Sequence, residues 1–151
     1  MQPKLRFTKI WQDEDMVELR VEACDGTSMF SNKVYVGHHS LRETVIDLHR
    51  FKDHIYGGLY DLRFGEFGPE YGSGALSARL HFHDRGKLLV SIAMQSEYSD
   101  FGKKNVASEA NLFLISEPAL LDNFIQSLRA VSEGHQNDAQ LDGIDSPWTW
   151  D

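Results

Sequence analysis

Two histidines at alternate positions, His81 and His83, are the residues of this chain best suited to metal chemistry. On a β-strand, positions i and i+2 point to the same face, so the two imidazoles could share one zinc or iron ion. Asp84 follows directly, and His38-His39 supplies further ligand types elsewhere. The pattern is like the His-x-His of cupin metal sites, but those add a glutamate a few residues later, where this chain has Lys87 and Leu88, so a third ligand is missing. The plainer reading is a pair of solvated strand histidines beside neighbouring charges. The expectation is a protein without a cofactor, with a small metal-dependent enzyme built on His81 and His83 as the alternative.

Glu66 and Glu70 form a second pair, spaced as carboxylates that divide acid and base roles can be. Nothing in the sequence sets a substrate between them or shifts one pKa from the other. The same segment reads better as a binding loop. Phe67 and Tyr71 offer rigid apolar area, Glu66 and Glu70 offer charge, and several glycines allow close backbone approach. Against this stands a structural reading in which Phe64 and Phe67 pack inward and the glycines only turn a long hairpin. The 96–102 loop, with Glu97 and Asp100, has a similar composition. The two loops share one end of a sheet if their strands pair.

Other chemistry finds little footing. Gly72-Ser-Gly74 has no lysine or helix start after it, as a phosphate loop requires. Cys24 stands at a strand end with no adjacent histidine to activate it, and reads as a small buried or edge residue. Serine, histidine and aspartate occur without a nucleophile-elbow spacing.

The elements that must position these residues follow from periodicity. Residues 16–23 alternate, with Val17, Leu19, Val21 and Ala23 on one face and Glu18, Arg20 and Glu22 on the other, which predicts a half-buried strand. Asp25-Gly26 predicts a hairpin turn into a strand ending at Val36, and a strand from Leu5 to Trp11 precedes both. Ser40 and Glu43 fit a capping box for a helix with Leu41, Val45, Leu48, Phe51 and Ile55 on its apolar face, stopped at Gly57-Gly58. Four strands are expected next, over residues 59–64, 76–82, 88–94 and 106–115. Ser116 is the expected cap of a second helix, with Pro118 in its first turn and Gly134 at its end. The predicted class is α+β: an antiparallel sheet of about seven strands, in the order βββαββββα, covered by two amphipathic helices. Residues 1–134 form the expected domain. Residues 135–151 carry Asp138, Asp142, Asp145 and Asp151 and read as a mobile acidic tail, in which Trp148 and Trp150 are the candidates for docking.

Composition narrows the function. The chain has 151 residues, 41% hydrophobic and 25% charged, which suits one globular domain. No apolar run approaches membrane length, the first residues lack a signal-peptide core, and the single cysteine cannot form an intramolecular disulfide. A cytoplasmic protein without a membrane partner is expected. Net charge is −8, from 23 acidic and 15 basic side chains. Only Lys103-Lys104 clusters positive charge, so direct nucleic-acid binding is not expected. Acidic charge suits a basic protein partner, although it also serves solubility.

A spaced set of motifs resembles the WapI-like immunity family of bacterial polymorphic toxin systems. It runs from the Asp25-Gly26 turn through the 48–59 helix-to-strand passage to Gly74-Ala-Leu-Ser-Ala-Arg-Leu80. Gly86-Lys-Leu-Leu-Val90, Asn111-Leu-Phe-Leu-Ile115 and the Leu120-to-Leu128 helix complete it, and the whole spans roughly residues 5–132. These motifs state strands, turns and core positions rather than chemistry. The resemblance implies a cytoplasmic antitoxin that binds a cognate, often basic, toxin domain. It carries over no functional residue. The contacts expected from composition are Glu66, Phe67, Glu70, Tyr71, Glu97, Asp100 and Trp148. An oligomeric structural or interaction subunit is a further alternative.

Overall fold

The computed structural model describes residues 2–69, 72–83 and 86–144. Its strands and helices run in the order β1 Lys4–Gln12, β2 Met16–Cys24, β3 Met29–Gly37, α1 His38–Phe51, β4 Leu59–Gly65, β5 Ser73–Phe82 and β6 Leu88–Glu97. The short strands β7 Ser99–Phe101 and β8 Lys104–Val106 follow, then β9 Glu109–Ser116, α2 Pro118–Ser132 and β10 Asp138–Asp142. The class is α+β with antiparallel pairing throughout, as the alternation predicts. Among the described residues no helix is long and apolar enough to cross a membrane.

The strands do not form one sheet of about seven. They divide into a sheet ordered β10-β1-β2-β3, a sheet ordered β4-β5-β6-β9, and a small β7-β8 hairpin. Helix α1 separates the β1–β3 meander from the second sheet, β6 reaches β9 past the β7–β8 hairpin, and β10 returns after α2 to join the first sheet beside β1. At the β2–β3 turn the Asp25 carboxylate accepts the N–H groups of Thr27 and Ser28 at 2.9 and 2.8 Å, fixing the Asp25-Gly26 reversal.

Alternating residues of both sheets meet in one core. Phe7 of the first sheet packs edge-on against Phe64 of the second, with ring centroids 5.8 Å apart, and also lies 5.8 Å from Phe124 of α2. Phe51 of α1 stacks on Phe82 at 4.9 Å. These contacts tie both helices to the sheets, each aromatic pair adding about 0.5–1.5 kcal/mol beyond its buried area. Lys52 and Asp122 join the helices at 3.0 Å.

Several expectations need correction. Residues 138–142 are not tail: Ala139 and Leu141 are buried, and β10 pairs with β1 from Thr8↔Asp138 to Lys4↔Asp142. Alternation over five residues, diluted by aspartates, concealed a strand whose polar positions face outward. Residues 145–151, with Trp148 and Trp150, lie outside the described residues. Helix α1 begins at His38, so Ser40 lies inside it. There its carbonyl accepts from Thr44 Oγ1, and no capping box forms. It also ends at Phe51, before Ile55. Helix α2 starts after Glu117, and the Ser116 hydroxyl donates instead to the Asp142 carbonyl at 2.6 Å, fastening β10 to the end of β9.

Candidate functional site: one end of the second sheet

The β5–β6 ladder continues to Ser73↔Glu97, so the chain before Ser73 and the chain after Glu97 leave the sheet side by side. This brings together the two loops that composition singles out. Gly74, at φ 108°, lets the strand turn in against β3: a Cβ there would collide with the Lys33 carbonyl oxygen. Tyr98 N–H donates to the Gly72 carbonyl at 3.0 Å, linking the loops through their backbones. Gly68 lies against the Tyr98 ring so closely that a Cβ would overlap it.

Gln95 supplies the anchor. It is 4% exposed, its Oε1 accepts the Gly68 N–H at 2.6 Å, and its Nε2 donates to Glu109 Oε1 at 2.8 Å. The loop is thus folded back over the outer face of the sheet and held to β6. Beneath the same end, Asn32 of β3 reaches across from the first sheet. Its Nδ2 donates to the Ala75 and Gln95 carbonyls, each at 2.9 Å. The second loop is closed by Ser96 N–H donating to the Ser108 carbonyl at 2.9 Å and Ser108 N–H donating to Ser96 Oγ at 2.8 Å. Beyond that closure stands the β7–β8 hairpin.

The expected contact residues fall as follows. Glu66, Phe67, Glu97 and Asp100 lie at this end and are exposed, Phe67 at 42%. Asp100 accepts from Asn105 Nδ2 across the hairpin at 3.2 Å. Phe64 is buried while Phe67 is not, so the inward packing considered for both holds only for Phe64. Glu70, Tyr71 and Trp148 lie outside the described residues. Phe101, which composition did not single out, is 74% exposed on the hairpin, ahead of Lys103 and Lys104.

His81 and His83 stand in different settings. His81 is half-buried in β5, opposite Leu59 and Leu89. His83 lies beyond the end of β5, in a turn where its N–H donates to the Lys87 carbonyl at 2.8 Å, so the strand periodicity that aligned the pair stops one residue short. His38 and His39 open α1, where His38 Nε2 lies 2.7 Å from the Asp13 carbonyl oxygen and His39 lies 3.7 Å from Glu43. Among the described residues no group of three or more histidine, cysteine, aspartate or glutamate side chains is placed to hold a metal ion. Cys24 is buried, as its position suggests.

Sequence reasoning missed a row on the outer face of the first sheet. Lys9 pairs with Leu19, but Trp11 pairs with Glu18, leaving Ile10 as an extra residue in a β-bulge. Without the bulge Trp11 would oppose Val17, which is core; with it, Trp11 faces out. The row is Trp11, Glu18 and Tyr35, on β1, β2 and β3. The Tyr35 hydroxyl is held above its ordinary pKa chiefly by the neighbouring Glu18 carboxylate, with burial adding to the effect.

Comparison with protein-family models, curated proteins and solved structures finds no match.

Proposed function

We propose that this chain is a non-catalytic binding protein of the immunity type, which neutralises a cognate bacterial toxin domain by direct stoichiometric contact. The observation that carries the reading is the joining of the 65–73 and 96–108 segments through Gln95, Gly68 and Tyr98. Two exposed rings, Phe67 and Phe101, stand there on a held backbone. Ordered aromatic side chains lose little freedom on binding and are what interface hot spots are made of. Glu66, Glu97 and Asp100 surround them with charge that draws a basic partner and raises its association rate. The resemblance to WapI-like immunity proteins supplies the kind of partner, a toxin domain at the C-terminus of a large repeat protein.

The reading is tested by co-expressing the chain with the C-terminal domain of a repeat protein encoded beside it. Cell survival with a one-to-one complex is the expected outcome. Cell death with no complex contradicts it.

A further inference from the structure

We infer that Trp11, Glu18 and Tyr35 form a binding site for a guanidinium group, such as an arginine side chain presented by a partner protein. Three observations meet here. Trp11 and Tyr35 stand on strands that flank β2, yet their ring centroids lie 6.4 Å apart at an interplanar angle of 84°. The rings therefore lean toward each other above Glu18, which occupies the middle of the row. Both remain open to solvent, at 47% and 44% exposure. Glu18 is half-buried, and among the described residues it has no ion pair.

Two solvent-open aromatic rings in edge-on contact, on the strands that flank a carboxylate, suit a flat cation. Aromatic quadrupoles attract positive charge over the ring, and a guanidinium can stack on one ring while its N–H fork reaches a carboxylate. A neutral side chain of the same shape gains only the stacking. Among the described residues no cation bridges to Glu18: Arg20 and Lys33 occupy the adjoining row, paired across β2 and β3. The bulge at Ile10 is the device that makes the site, since it turns Trp11 out of the core register.

The identity of the partner rests on the function proposed above, whereas the cation site can be tested without any partner. The probe is N-acetyl-arginine amide, titrated into the full chain while the Trp11 indole N–H is followed by NMR, that resonance being assigned by its loss in Trp11→Phe. N-acetyl-citrulline amide, the neutral isostere, is the control. The expected result is a saturable shift in the millimolar range with the arginine probe, roughly fivefold smaller with citrulline and lost in Glu18→Gln. Equal shifts with both probes, no saturable shift up to about 50 mM, or an unaltered response in Glu18→Gln overturns the site. A positive titration beside a failed toxin rescue removes the proposed partner and leaves the cation site standing.

Discussion

Gln95 holds Gly68: its side-chain oxygen accepts the Gly68 N–H at 2.6 Å from a position 4% exposed. One glutamine thus decides how the 65–73 segment lies over the sheet, because its amide also fixes Glu109 on β9. Replacing it removes both bonds and leaves the part-buried Gly68 N–H without its acceptor. Gln95→Ala is expected to destabilise the protein by about 1–3 kcal/mol in urea denaturation. It should also speed proteolysis within the 65–73 segment. Unaltered cleavage there contradicts the anchoring role.

Asn32 is the polar bridge between the two sheets. Its amide donates to two carbonyls of the second sheet, while its Oδ1 is buried without a hydrogen-bond partner. Asn32→Ala is expected to cost about 1–3 kcal/mol. Asn32→Asp should cost more, since a carboxylate has no proton to donate and would face two carbonyl oxygens. Chemical denaturation of the two variants checks the order; an aspartate variant as stable as the alanine one contradicts it.

Glycine is needed at positions 74 and 68 for different reasons, and the costs should differ. At Gly74 the φ of 108° and the Lys33 carbonyl both oppose a side chain, and neither is free to move. At Gly68 the obstacle is the Tyr98 ring, a side chain that can shift. Gly74→Ala is expected to lose at least about 2 kcal/mol, from backbone strain and the collision together. Gly68→Ala should lose less and act mainly on the loop. Equal melting temperatures for the two variants would contradict this distinction.

Acid should weaken the fold through named carboxylates. Asp13 is held below its ordinary value chiefly by backbone N–H bonds from Met16 and Asp15. Asp61 is held down by its hydrogen bonds from Arg79, and Asp122 by its bond from Lys52. Each folded-state pKa lies below its unfolded value. The contribution is therefore present above the unfolded pKa and lost as pH falls through the folded one, that is, below about pH 4. These groups are near the surface, so each effect is small. In Arg79→Gln, the Asp61 carboxyl should titrate closer to the ordinary 3.8, as read by carbon-detected NMR. An Asp61 titration that stays where it was contradicts the assignment.

The outline of the fold was legible where periodicity was strong. The alternation of Val17, Leu19, Val21 and Ala23 marks β2, and the Asp25-Gly26 pair marks its turn; both are present. The stripe from Leu121 to Val131 marks α2. Sequence could not show that the strands divide into two sheets, since sheet membership depends on pairing across distance. It missed β10 because Asp138, Gln140 and Asp142 make the segment polar in composition although Ala139 and Leu141 are core. At the candidate site, residue type picked out Glu66, Phe67, Glu97 and Asp100. Their proximity depended on the β5–β6 register, and the role of Gln95 depended on a hydrogen bond. Trp11 was read only as the end of a strand, because a bulge leaves no mark in the alternation of so short a segment.

The most direct test of the binding account is the interaction of the purified chain with the proposed toxin domain, measured for the native protein and for Phe67→Ala/Phe101→Ala and Glu66→Lys/Glu97→Lys. The account predicts at least a tenfold weaker Kd for the aromatic pair, about 1.4 kcal/mol or more, mostly through faster dissociation. It predicts slower association with a flatter salt dependence for the charge reversals. All variants should keep the native melting temperature within a few degrees, since these side chains lie on the surface. Native affinity and native association rates in both variants would contradict the claim that this end of the second sheet is where the protein binds.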